Sequence, residues 1–170
     1  MHKKIDVTDY ANEIARALKR GVLLTTKAGE KVNSMVIGWG HVGRIWERPV
    51  FVVYVRTCRY TRELLDANPE FTVNVPVGSF DRNAFAICGS KSGRDMDKIA
   101  AAGLTPTAPE TVSVPGIKEF PLTLECRVIY REAQTAARLP EEIRRQFYTA
   151  ETEDHVAYFG EITAAYLIED

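Results

Sequence analysis

Cysteine, histidine and surplus charge are all scarce in this chain, and each scarcity removes a class of function. The three cysteines, Cys58, Cys88 and Cys126, stand far apart, form no C-x-x-C pair and are odd in number. That argues against a disulfide framework. Cys88 and Cys126 fall in apolar, strand-like runs and read as buried thiols. The three histidines, His2, His41 and His155, are equally scattered, so no metal site is expected. Net charge is −1, which lacks the strong basic field that nonspecific nucleic-acid binding needs. No apolar run is long enough to span a bilayer, and Met1-His2-Lys3-Lys4-Ile5-Asp6 has no signal core. A cytoplasmic protein is the expectation, with neither membrane nor nucleic acid as partner. No G-x-S-x-G elbow and no suggestive pair of carboxylates is legible, so no nucleophile or dyad is assigned.

What is present is an ordinary globular composition, 45% hydrophobic and 26% charged over 170 residues. One domain over 1–170 is expected, without repeat or linker. Val7, Tyr10, Ile14 and Leu18 recur at helical spacing, which predicts a helix from Thr8 to Arg20 ended by Gly21. A hairpin follows, from strand 22–26 through the turn at 27–30 to strand 31–38. Further strands are expected at 50–55, 71–75, 122–131 and 155–168, with short helices at 62–68 and 141–147. Residues 105–121 hold four prolines and read as a long loop, functional or wrapped round a partner. Six or seven long strands with few helices favour a closed antiparallel barrel over a parallel sheet.

One motif is a decoy. Gly38-Trp39-Gly40-His41-Val42-Gly43 matches G-x-G-x-x-G. A dinucleotide fingerprint must open a helix, and here Arg44-Ile45-Trp46-Glu47-Arg48-Pro49 follows, too short and closed by proline. The glycines read instead as close backbone approaches in a loop.

Two polar clusters carry more. The apolar run 50–55 hands over to Arg56-Thr57-Cys58-Arg59-Tyr60-Thr61 and then to a short helix stopped by Pro69. Two arginines and two hydroxyls at a helix N-terminus suit a phosphate, because the first N–H groups are unpaired and guanidinium forks match phosphate oxygens. The plainer reading makes Thr61 an N-cap and the arginines solvated charges. The second cluster is Ser90-Lys91-Ser92-Gly93-Arg94-Asp95. Ser92 and Asp95 fit a capping box for a helix over 93–102, again with Lys91 and two serines where an anion would sit.

The succession Val32-Asn33-Ser34-Met35, Gly38-Trp39-Gly40, Ile45-Trp46, Val53-Tyr54-Val55-Arg56-x-x-Arg59-Tyr60-Thr61, Phe71-Thr72-Val73-Asn74, Gly89-Ser90-Lys91-Ser92-Gly93-Arg94-Asp95-x-Asp97-Lys98 and Asp154-His155-x-x-x-x-Gly160-Glu161-Ile162 resembles the flavin reductase-like family, and most closely its flavoredoxin branch. The resemblance implies a mainly β fold: an FMN-binding split β-barrel, antiparallel and of Greek-key type, with a few short peripheral helices. It implies a homodimer with flavin near the subunit interface. Arg56, Thr57, Cys58, Arg59, Tyr60 and Thr61, with Ser90, Lys91 and Ser92, would hold the FMN phosphate and ribityl chain. Asn33, Ser34, Met35 and Val36 would lie along the flavin ring, with Trp39 packed nearby and His155 near its reactive face. His155 reads equally as a strand histidine bonded to a neighbouring carbonyl. The family pattern has Pro-Ser where this chain has Thr57-Cys58, and Thr where it has Val36. The expected activity is NAD(P)H-dependent reduction of bound FMN, with free flavin or a redox protein as acceptor. The alternatives are a pure electron carrier and a cofactor-free barrel that recognises a phosphorylated ligand or a protein.

Overall fold

The computed structural model describes residues 1–149 and 154–169. The chain opens with β1 (His2–Lys4), a 3₁₀ turn (Val7–Tyr10) and α1 (Ala11–Leu18). Then come β2 (Val22–Ala28), β3 (Lys31–Ile37), β4 (Gly40–Ile45), β5 (Arg48–Arg56), α2 (Tyr60–Ala67) and β6 (Glu70–Val75). The second half holds α3 (Arg82–Ser90), α4 (Lys98–Ala101), the short β7 (Pro106–Thr107) and β8 (Gly116–Ile117), β9 (Leu122–Ala133), α5 (Glu141–Phe147) and β10 (His155–Ile168). Eight strands form one sheet, ordered β3-β2-β6-β9-β10-β5-β4, with β1 added on β10; every pairing in it is antiparallel. β3 and β4 follow each other in the chain yet stand at opposite ends of that path. No ladder joins them among the described residues, so the barrel is split there.

The strands read as continuous apolar runs because both faces are covered. In β2, Val22 and Leu24 join the interior core with Phe51, Val53, Phe71, Leu124 and Tyr158, while Leu23 joins a second cluster beneath α3 and α4. Ile14, Ala17 and Leu18 of α1 close the interior core at one end. At ~25 cal/mol per Å2, each such large side chain contributes on the order of 2 kcal/mol.

Several expectations change. The first helix is α-helical only from Ala11, because Asp6 accepts from the Thr8 N–H and starts a 3₁₀ turn. The loop expected at 38–49 is mostly β4, in a hairpin with β5. The glycine motif therefore opens a strand. A side chain at Gly40 would meet the Val52 carbonyl at 2.9 Å, the close approach expected there, whereas Gly43 faces open space. The hairpin turn places Trp46 and Glu47 at φ 51° and 56°, a left-handed pair with no glycine in it. The run at 85–88 is helical: Asp81 caps α3 through the Asn83 N–H, and Ala84 and Cys88 are buried at i,i+4 spacing. A four-residue apolar run does not tell these states apart.

The helix expected at 93–102 shrinks to α4. Asp97 caps it through the Ala100 N–H, while the Ser92 hydroxyl accepts from the Arg94 N–H and the expected capping box does not form. The proline-rich segment 105–121 covers the outside of this chain's own sheet. Thr72 donates to the Pro115 carbonyl at 2.8 Å, and the Ile117 N–H donates to Asn74 at 3.0 Å. Buried Glu125 accepts from the N–H groups of Glu110 and Thr111 at 2.7 and 2.6 Å and from the Tyr166 hydroxyl at 2.8 Å. Among the described residues, no helix is long and apolar enough to cross a membrane.

Candidate functional site

Because the barrel is split, β3 pairs among the described residues only with β2 and keeps its other edge unpaired there. An edge strand presents alternating N–H and C=O groups, and residues from both of its faces border whatever lies against it. That is the arrangement here. Asn33, Met35 and Val36 all line one cleft, although successive side chains point to opposite faces. The opposite wall is the turn between β5 and α2, and the floor is the segment that links α3 to α4.

The turn supplies Arg59 as the N-cap of α2. Its backbone is extended (φ −73°, ψ 138°) and no side chain caps the helix; the Arg62 N–H bonds back to the Arg59 carbonyl at 3.0 Å, which leaves the N–H groups of Tyr60 and Thr61 open among the described residues. Thr61 is not the cap. It lies inside the first turn, buried, and its hydroxyl accepts from Asn33 Nδ2 at 3.1 Å. The other Asn33 side-chain atom, Oδ1, is buried and has no partner among the described residues. Gly93 makes room for it: a Cβ there would land on Asn33 Oδ1 and come within 2.9 Å of the Tyr60 ring.

Four cations converge on this cleft of ≈ 180 Å3: Arg59, Lys91, Arg94 and Lys98. Arg94 is already engaged. It pairs with Glu63, donates to the Cys58 carbonyl at 3.1 Å and lies over the Tyr60 ring, and its bond to Glu63 holds its pKa above the ordinary value. Arg59, Lys91 and Lys98 have no carboxylate partner among the described residues. Lys98 is only 4% exposed, and its one acceptor among the described residues is the Cys88 carbonyl, 3.2 Å away near the end of α3. Burial, and the positive charge of Arg59, lower its pKa. A buried ammonium with two donors left over is costly unless an anion completes it.

A second cleft of ≈ 190 Å3 continues from the first and shares Met35, Val36 and Arg59 with it. Trp39, Tyr54, Arg56 and His155 complete its walls. His155 is buried, its Nδ1 is 2.8 Å from the Tyr148 hydroxyl, and its ring lies 4.9 Å from that of Trp39. Burial, and then Arg56, push its pKa down to about 4, so the ring is neutral at pH 7. A phenol that donates to Nδ1 leaves the proton on Nε2.

The structure brings together most of the residues singled out from the sequence, and redistributes some. Asn33, Met35, Val36, Cys58, Arg59, Tyr60, Thr61, Ser90, Lys91 and Ser92 line the first cleft, and Trp39, Arg56 and His155 the second. Arg56 thus stands apart from Lys91, with its guanidinium donating to the Phe147 carbonyl at 3.2 Å and lying over the Tyr148 ring. Ser34 is fully buried and shares a hydrogen bond with Thr25, and the Thr57 N–H donates to the Asp154 carbonyl; neither lines a cleft. The sequence reading quotes Tyr54, Gly93, Arg94 and Lys98 within its motifs without assigning them to the site, and does not single out Tyr148. Lys98 follows the Asp97 cap directly and stands beside apolar Ile99.

A protein of Archaeoglobus fulgidus described as uncharacterized is 31% identical over 133 residues, covering 78% of this chain; the chain spans only 64% of that relative's length. The flavoredoxin of Desulfovibrio vulgaris (Miyazaki F) superposes with a TM-score of 0.68 at 24% identity, covering 88% of this chain and 69% of its own. The flavoredoxin from Methanosarcina acetivorans gives 0.66 at 29% identity, covering 88% and 68%. Residues 15–170 match the profile of the flavin reductase like domain, and the chain belongs to that family.

Proposed function

We propose that this chain is an FMN-binding oxidoreductase that takes electrons from NAD(P)H, with the phosphate in the first cleft and the flavin ring along the free edge of β3. One observation carries the reading: three cations without carboxylate partners, one of them buried, meet in a cleft that runs on along an unpaired strand edge. The fit has independent support. The orphaned Asn33 Oδ1 asks for a donor at the cleft, and Gly93 leaves the space that a side chain would fill.

Bound FMN supplies the redox chemistry itself, accepting hydride and passing electrons on. The protein does the rest. Lys98, Arg59 and Lys91 neutralise the phosphate, aided by the open N–H groups of α2. The edge groups of β3 would hold the flavin ring, with Trp39 beside it in the second cleft. His155, neutral at pH 7 and tied to Tyr148 through Nδ1, presents its ring to the second cleft. A pure electron carrier of flavoredoxin type is the second reading, supported by the two flavoredoxin neighbours. The acceptor is free flavin or a redox protein.

The partner is a second copy of the chain. Val50, Val52 and Ala157 form an apolar cluster flanked by Tyr54 and Phe159, and exposed Trp46 and Tyr130 pack against Phe159. Sedimentation analysis tests this, and a monomer at micromolar concentration refutes it. The cytoplasm suits three free cysteines, one of them exposed.

The function is tested by the visible spectrum of the protein after FMN addition and dialysis, followed by anaerobic NADH. Retained flavin that NADH bleaches supports the reductase. Retained flavin that NADH leaves coloured supports the carrier. A colourless protein refutes both and favours a cofactor-free binding barrel.

A further inference from the structure

Cys58 and Cys88 both border the cation cleft, and they differ in access. Cys88 is 1% exposed, and burial raises its pKa, so its thiol stays protonated and shielded. Cys126 is fully buried in the interior core. Cys58 is exposed in the β5–α2 turn, one residue before the Arg59 cap. Its carbonyl accepts from Arg94 at 3.1 Å, which fixes the backbone there. One thiol of three is therefore open to a reagent, and it opens beside cations.

The groups around that thiol are unmatched in a particular way. Arg94 is taken by Glu63, but Arg59, Lys91 and Lys98 have no carboxylate partner among the described residues. Lys98 is 4% exposed and keeps donors unused beyond the Cys88 carbonyl. Asn33, equally buried, holds Oδ1 without a donor at the same cleft. Anionic oxygens would meet the cations, and an amide N–H would meet Asn33. A small peptide-like thiol that carries carboxylates has both, and its sulfur would stand where Cys58 can reach it.

We propose that Cys58 is a thiolation site for small disulfides that carry carboxylates, drawn in and held by the cations of the cleft. The Cys58 sulfur attacks one sulfur of the disulfide. A new S–S bond to Cys58 forms, the old one breaks, and the other half leaves as a thiol with the proton that Cys58 gave up. Cys58 is oxidised and the leaving half reduced, so the disulfide is the only oxidant needed. The adduct and a phosphate call on the same cations, so thiolation and FMN exclude each other; that exclusion rests on the flavin reading above.

The probes are dithiobis-nitrobenzoate, a dianionic disulfide, and dithiodipyridine, a neutral one, each mixed with the full chain freed of flavin by dialysis. One thiol per chain is expected to react fast, and none in Cys58→Ser. Measured against the same two reagents on free cysteine, the anionic one is expected to gain about tenfold in rate at low salt. The gain should fall in Lys91→Met, and vanish in ~1 M salt, where screening acts within about 3 Å. No fast thiol, a fast thiol that survives Cys58→Ser, or no gain for the anionic reagent overturns the proposal. Saturating FMN is expected to slow the reaction more than about tenfold, since it fills the cation cleft. Where the charge gain is present but FMN does not slow the reaction, the flavin reading falls and the thiolation site stands.

Discussion

Replacing Lys98 by Met separates a ligand role from a structural one, because the two predict opposite balances. Met keeps the length and apolar stem and removes the ammonium. Among the described residues that ammonium has one hydrogen bond, to the Cys88 carbonyl at 3.2 Å, and it is 4% exposed. Losing the bond costs about 1 kcal/mol, and losing an unpaired buried charge returns a similar amount, so stability should change by about 1 kcal/mol at most. With a phosphate dianion in the cleft the sum differs. Two unit charges ~4 Å apart attract by about 4 kcal/mol at an effective dielectric of 20, and a net ~1.5–3 kcal/mol survives desolvation. The FMN dissociation constant should therefore rise about 10- to 150-fold. Flavin fluorescence quenching measures it, with urea unfolding as the stability control. Riboflavin, which lacks the phosphate, should bind both proteins alike. An unchanged FMN affinity, or an equal loss for riboflavin, would show that Lys98 serves only the end of α3.

Four further perturbations follow from the same structure. Gly93→Ala puts a methyl onto Asn33 Oδ1 and should lower FMN affinity by more than about tenfold, with the circular dichroism spectrum unchanged. Glu125→Gln faces its new amide toward N–H donors and should destabilise by about 3 kcal/mol in urea; a loss under about 1 kcal/mol would deny its part in fixing the 105–121 segment. Changing Trp46-Glu47 to Asn-Gly relieves the two left-handed residues of the β4–β5 turn and should add about 1 kcal/mol in thermal unfolding, unless the Trp46 contacts to Tyr130 and Phe159 contribute more. His155 binds protons less readily folded than unfolded, because burial and Arg56 push its pKa down to about 4. Its contribution, about 3 kcal/mol, is full above pH 6.5 and lost as pH falls toward 4, so His155→Gln should flatten that limb of the pH–stability curve.

The residues of the cleft were legible because they form local patterns. A continuous apolar run that breaks into Arg56–Thr61 and a short helix marks a strand-to-helix junction in any fold, and the long strands follow from their β-branched and aromatic content. Where local signal was short, the reading slipped. The segment 85–88 is too brief to choose between strand and helix, and the choice fell to Asp81 and to burial beneath Val36. The hairpin at Trp46-Glu47 carried no glycine to announce it, and register with β5 imposed it.

The sequence by itself determined the antiparallel β character, the rejected dinucleotide fingerprint and the two basic clusters, although only the first stands at a helix start and Lys91 of the second closes the C-terminal end of α3. Charge and periodicity are properties of neighbours in the chain, so they survive without knowledge of the fold. Tertiary structure alone decided that β3 keeps a free edge, that Arg56 joins His155 rather than Lys91, and that Lys98 loses its water beside Cys88. Each of these depends on which strands pair and which surfaces are covered. Burial, which turns an ordinary lysine into a group that needs an anion, is made by residues distant in sequence.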